Sequence, residues 1–289
     1  MKFIDKSTPQ SKAAAKRLHD WRDGYTYQKQ EFPQYQGLSL AEICNKPEFT
    51  GKKLWDLLNN DKPYRQALRK EQHNLCCYCC EILKKGDDTT AIEHFRDKGS
   101  NPCVDTFDYA NLLLACEGNK NPRKYTPKLD DTWETIANHF NTTAEKLEYD
   151  NPNIVFPFQI GTETKFKLSQ HCDVAKGANA ISVNPTTNID CWKRFMYDEN
   201  GHIQGKKNDI DAQKTVDTLK LDCDILKNKR KAAWQLAVEI YRDDVDIMIL
   251  LEAEDIEGYL KRIEQLKEID AVTSFSPVYW FYYGKQLIN

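Results

Sequence analysis

A mixed α+β fold is predicted, on three observations. Apolar residues recur at helical spacing near both ends of the 289-residue chain, the stretch from 75 to about 205 loses that period in favour of short β-like runs, and this stretch holds most of the cysteines and histidines. At the front, 11–23 and 52–72 carry apolar residues every three to four positions, with Pro63 breaking the second segment. Between them Pro33, Gly37 and Pro47 mark a loop-rich connection, with a short helix over 39–44 behind a Ser39 cap. At the back the period returns through Ala212, Val216 and Leu219, then Leu226, Ala233, Ala237 and Tyr241, then Ile256, Leu260, Ile263 and Leu266. The aromatic run 279–283 that follows is expected in the core. Three regions result: a helical segment at 1–72, a cysteine-rich centre at 73–208 and a helical segment at 209–289.

Composition narrows the function classes. The 40% hydrophobic content suffices for a real core, while the first residues lack an apolar leader and no run approaches the ~18 apolar residues of a membrane span. A cytoplasmic chain is expected, and its ten cysteines read as thiols or metal ligands rather than a disulfide framework. The net charge of −3 hides a gradient. Residues 1–70 hold 14 Lys and Arg against 8 Asp and Glu, and residues 209–289 hold 11 against 16. A polyanion would be drawn to the front, leaving the back for a protein partner.

The chemistry is expected in the centre. Cys76, Cys77, Cys79 and Cys80 form two overlapping C-x-x-C pairs, and a C-x-x-C on a tight turn aims two thiolates at one tetrahedral ion. A second pair must come from downstream, where Cys103, Cys116, His171, Cys172 and Cys191 are the candidates. Between the halves lies Ile92-Glu93-His94-Phe95, after a turn at 85–88. Neighbours on a strand point to opposite sides, so an ion at the strand's end would take the carboxylate while the imidazole reaches a water beside it.

In order, C-x-Y-C, I-E-H-F, Y-x-N-L-L-x-x-C and H-C-D-x-x-K-G resemble the HNH endonucleases of the Septu and retron anti-phage systems, over about 70–230. The resemblance implies a zinc-stabilised ββα-metal (HNH) core. In that core Cys76, Cys79, Cys116 and Cys172 hold a structural zinc, Glu93 and Asp173 bind a catalytic Mg²⁺ or Mn²⁺, and His94 is the general base. Asn111 braces the strand carrying His94, and Lys176 sits near a phosphate. Two features depart from the family pattern: Asp173 stands where Asn or His is commoner, and the gap between Cys116 and Cys172 is long. His171, or Cys77 paired with Cys80, remains an alternative in the zinc set. The substrate would be DNA or RNA, and a partner ATPase would dock on 209–289, since no G-x-x-x-x-G-K-[ST] string occurs in this chain.

Physical chemistry supports such a division of labour. Phosphodiester cleavage needs an activated water, which a near-neutral histidine supplies, and charge relief at the phosphoryl and leaving oxygens, which one hard cation supplies. Four thiolates leave a zinc no open position, so that ion fixes geometry alone.

Inside the gap, the run from Asp130-Asp131-Thr132-Trp133 through Ile136, Phe140 and Leu147, followed by Asn151-Pro152-Asn153 and Phe156-Pro157-Phe158-Gln159, makes residues 125–168 resemble a LysM module, a βααβ fold that often binds N-acetylglucosamine glycans. Asp131 and Thr132 would cap its first helix, with Ile136, Ala137 and Phe140 facing inward. A structural or sensing insertion fits a cytoplasmic nuclease better than glycan binding. Cys44, Cys103, Cys191 and Cys223 default to buried thiols. The rival function is a non-catalytic, zinc-stabilised module that binds nucleic acid or protein, with Glu93 and His94 incidental.

Overall fold

Thr8 starts the first helix by accepting the Ser11 amide, and Pro9 occupies its first turn, giving α1 (Pro9–Gly24) with Ala14 and Leu18 buried. The computed structural model describes residues 1–28, 30–57, 64–84, 90–98 and 103–286, without the side chains of 57, 103 and 104. Ser39 and Glu42 close a reciprocal capping box on α2 (Leu40–Cys44). The helical segment expected over 52–72 is two helices, α3 (Gly51–Leu57) and α4 (Arg65–Glu71). Pro63 and the turn expected at 85–88 lie outside the described residues.

The centre opens on a hairpin, β1 (Thr90–His94) and β2 (Leu112–Cys116), joined through α5 (Cys103–Thr106) and a 3₁₀ turn at Tyr109–Asn111. The strands pair antiparallel from Thr90 opposite Cys116 to His94 opposite Leu112. Next come β3 (Arg123–Tyr125), α6 (Trp133–His139), α7 (Ala144–Asp150) and β4 (Thr164–Phe166), with β3 and β4 paired antiparallel. These four elements have their own apolar cluster of Trp133, Ile136, Ala137, Leu147, Phe158 and Phe166, separate from the main core. Thr132 caps α6, while Asp131 accepts from the Thr135 hydroxyl. Helix α8 (Cys172–Lys176) then packs on β2 and is followed by a hairpin of β5 (Phe195–Tyr197) and β6 (Ile203–Gly205).

The βααβ lobe joins the body through a neck at 118–119 and 169–171, and touches it again where Asn228 Nδ2 donates to Asn141 O at 3.0 Å. The His171 amide donates to Gly118 O at 3.1 Å, and Asn119 Nδ2 donates to Ser169 O at 2.9 Å. Gly118 has φ +60, and a Cβ there would lie 2.1 Å from His171 O, a backbone atom that cannot step aside. Left-handed backbone alone costs a non-glycine residue ~1–2 kcal/mol, so Gly118→Ala is expected to destabilise by at least about that much in urea unfolding. A neutral substitution would mean that the neck is looser than this geometry.

The chain closes with α9 (Ile210–Thr218), α10 (Asp224–Asp243), α11 (Val245–Glu252), α12 (Ile256–Asp270) and α13 (Ser276–Gln286). The aromatic run lies in α13 and is mostly core: Tyr279, Trp280 and Tyr283 are buried, with Trp280 Nε1 donating to Lys267 O and the Tyr283 hydroxyl to Asp270. Among the described residues no helix is long and apolar enough to cross a membrane.

Candidate metal centre

Residues 75–82 form a tight loop closed by a Leu75–Ile82 bridge. The Cys76 amide donates to Glu81 O, the Cys80 amide to Cys76 O, and Cys80 takes φ 63 to turn the chain. The Cys77 amide donates to Leu114 O at 3.0 Å, which sets the loop against β2. Buried Gln72 reinforces this join: its Nε2 donates to Leu75 O and Leu114 O, and its Oε1 accepts the Leu114 amide, each at 2.8 Å.

That docking brings Cys76 and Cys79 to the end of β2, where Cys116 waits, and α8 delivers Cys172 from beyond the lobe. The four Sγ atoms lie within 4.8 Å of one another. Cys79 and Cys116 are 4.0 Å apart, close to the sulfur spacing of about 3.8 Å that four Zn–S bonds impose on a tetrahedron. Cys172 takes φ 56, a conformation that costs a non-glycine residue of order 1 kcal/mol and persists where its surroundings over-determine it. Here the Cys172 amide is fixed on Leu219 O at 2.9 Å while its thiol meets the other three.

The donor chemistry suits a soft, four-coordinate cation. Burial pushes the Cys172 thiol well above its ordinary range, whereas Cys76, against its own burial, is held well below by hydrogen bonds from Cys116 and Cys172. Four buried sulfurs that share hydrogen bonds among themselves are the arrangement that an ion replaces with four thiolates. The Cys116 amide also donates to Cys76 Sγ at 3.3 Å. Among the alternatives, Cys77 and Cys80 lie outside this set, and His171 stands beside it, with Nδ1 3.2 Å from Cys172 Sγ and 3.8 Å from Cys116 Sγ. Cys191 is a buried free thiol and Cys223 a half-buried one. Cys44 departs from expectation: it is half-buried and disulfide-bonded. The Cys103 side chain lies outside the described residues.

Beside the sulfurs, Glu93 is buried, and its Oε1 receives both the Tyr78 hydroxyl and Lys176 Nζ at 2.7 Å. Burial, then hydrogen bonding and repulsion from Asp173, push the Glu93 carboxyl up to about 8, with Lys176 opposing. The two carboxyls are thus immediate neighbours that a divalent cation would reconcile. Lys176, expected near a phosphate, meets Glu93 and the strand. Its side chain is 1% exposed, and besides Glu93 it donates to His94 O at 3.1 Å, so it ties α8 to β1.

His94 is the last residue of β1 and contacts different elements from Glu93. Its Nε2 lies 3.1 Å from Thr106 O, and its ring meets the Trp55 indole edge-on at 4.5 Å. A carbonyl can only accept, so Nε2 carries the proton and Nδ1 keeps a lone pair. Nδ1 is buried without a hydrogen-bond partner. Burial, and then Lys98, hold the imidazole down to about 4, so it is neutral at neutral pH.

Asn111 fixes this arrangement. Its Oδ1 accepts the Arg96 amide, while its Nδ2 donates to Arg96 O and Asp105 O. One side chain therefore clamps both the backbone just after His94 and the residue before the Thr106 carbonyl that orients the ring. Sequence reasoning missed Gln72, Tyr78, Thr106 and Trp55; only Tyr78 carried a signal, as the third residue of C-x-Y-C.

Comparison with known proteins adds no assignment: no protein-family profile and no curated protein matches this chain.

Proposed function

We propose that the chain is a metal-dependent phosphodiesterase of the HNH (ββα-metal) class that cleaves nucleic acid. The observation that carries this reading is His94: a buried imidazole with one nitrogen anchored on a carbonyl and the other left as an unpartnered lone pair. An unmet buried nitrogen is a standing cost unless a water or substrate uses it.

In this reading His94 Nδ1 takes a proton from the attacking water, and Thr106 O holds the imidazolium that forms. Asn111 is a positioning residue that keeps the ring and its carbonyl in register. Tyr78 and Lys176 hold Glu93 beside Asp173, the pair that would bind a hard divalent cation. That cation, Mg²⁺ or Mn²⁺, would supply charge relief at the phosphoryl and leaving oxygens. A phosphate anion near Lys98 would offset the repulsion that lowers His94 basicity. The cysteine tetrad would hold zinc and lock the hairpin, the 75–82 loop and α8 together. A defence role, with a partner ATPase on the C-terminal helices, belongs to the same proposal, and so does a structural part for the LysM-like lobe.

One observation favours the rival reading of a non-catalytic, zinc-stabilised binding module: Lys176 and Tyr78 already satisfy one oxygen of Glu93. Cleavage of plasmid DNA, single-stranded DNA and tRNA under Mg²⁺ or Mn²⁺ separates the two. Wild type is expected to cut at least one of them, and His94→Ala to lose about 10²–10⁴-fold in rate with zinc content and circular dichroism unchanged. Nucleic-acid binding without cleavage by wild type would establish the rival.

A further inference from the structure

Helix α11 is amphipathic in the wrong sense for a surface helix. It buries Ile247, while Val245, Met248, Ile249 and Leu251 are 68, 48, 57 and 49% exposed. The first three occupy positions i, i+3 and i+4, hence one continuous face. Past the connection to α12, Ile256 and Leu260 are exposed one turn apart. Scattered exposed apolar residues need no explanation, but a contiguous set does.

The helix is firmly held. Asp244 accepts the Ile247 amide at 3.0 Å and pairs with Arg262 at 2.9 Å. Gly258 lets α12 approach α11 closely: a Cβ there would lie 2.6 Å from Leu250 Cδ2. The apolar face is thus displayed on a fixed scaffold.

Its charge selects the occupant. From 243 to 260 there are seven acidic residues and no lysine or arginine. Asp244 and Asp246 pair with Arg262, and Asp255 caps α12 through the Gly258 amide. Asp243, Glu252, Glu254 and Glu257 remain exposed, with no basic partner among the described residues. A second copy docked through the same face would oppose these acids to one another, and an anionic membrane would be repelled likewise.

We propose that the α11–α12 face docks an amphipathic helix of a different polypeptide, with an apolar stripe flanked by lysine and arginine. This face lies on the C-terminal helices where the proposed function also places a partner, and it rests on that part of the reading; it is tested by binding alone, so its failure leaves the cleavage reading standing. Two fluorescent helical peptides of about 18 residues are titrated against the full chain; they share one leucine stripe, and their polar positions carry lysine and arginine in one and glutamate in the other.

The basic peptide is expected to bind at least about tenfold tighter than the acidic one, with affinity falling as salt rises. Met248→Ser/Ile249→Ser is expected to weaken it by roughly tenfold or more with circular dichroism and zinc content unchanged. Glu252→Gln/Glu254→Gln/Glu257→Gln should slow association and flatten the salt dependence. The proposal is overturned if neither peptide binds, if both bind equally, or if sedimentation shows a dimer of the free chain that the Met248/Ile249 variant dissolves.

Discussion

Replacing Cys172 with serine is expected to reduce bound zinc from one equivalent per chain to a small fraction, with a large fall in thermal stability. Cys172 is the member of the cysteine cluster on which the long-range closure depends. Cys76, Cys79 and Cys116 meet through the contact of the 75–82 loop with β2, whereas Cys172 arrives from beyond the βααβ lobe. Structural zinc contributes ~10–16 kcal/mol to folding in small zinc domains at pH 7, so losing one of four ligands forfeits a large part of the stability of this unit. Substitutions outside the tetrad sharpen the prediction. Cys77→Ser, Cys80→Ser and His171→Ala are each expected to keep one zinc, because their side chains lie beside the tetrad and not within it. Metal analysis of purified variants with thermal unfolding reads both quantities. A full equivalent of zinc in Cys172→Ser, or its loss from His171→Ala with Cys172 intact, would overturn this ligand set.

The contrast between these variants shows where sequence alone stops. Helical spacing and the Ser39 cap are local, so the helical ends of this α+β chain are legible from neighbours a few residues apart. The C-x-x-C spacing likewise announces a metal turn. Choosing Cys76 and Cys79 over Cys77 and Cys80 depends on how the loop docks on β2, through bonds such as Gln72 to Leu114 across 42 residues that no local pattern encodes. The left-handed backbone of Cys172 and the bond of its amide to Leu219 O belong to the same kind of long-range fact. Lys176 shows the converse: the resemblance places it near a phosphate, while its partners Glu93 and a strand carbonyl come from the packing of α8 on β2, which no local pattern encodes. Helix α11 falls in the gap between the two helical periods read around it, and the exposure of its apolar face depends on which neighbours the tertiary fold supplies.

Lys176→Met is expected to destabilise the protein by about 3–5 kcal/mol near pH 8, the cost of leaving a buried charge without its partner. The side chains of Lys176 and Glu93 are 1% and 6% exposed, so water screens the pair little, and the substitution also orphans His94 O. The loss should depend on pH with a definite sign. Glu93 holds its proton more tightly in the folded chain, up to about 8, than in the unfolded one. Its contribution is therefore fully present below the ordinary carboxyl range and is lost as pH rises through about 8. Removing Lys176 takes away the one nearby cation favouring ionisation, so the penalty should grow between pH 6 and pH 9. Glu93→Gln/Lys176→Met should recover part of the loss, because it removes the charge that Lys176 had neutralised. Urea unfolding of the two variants at both pH values measures this. A single variant within about 1 kcal/mol of wild type at pH 8, or a double variant no more stable than the single one, would show that Lys176 acts elsewhere, as a cation free to meet a phosphate.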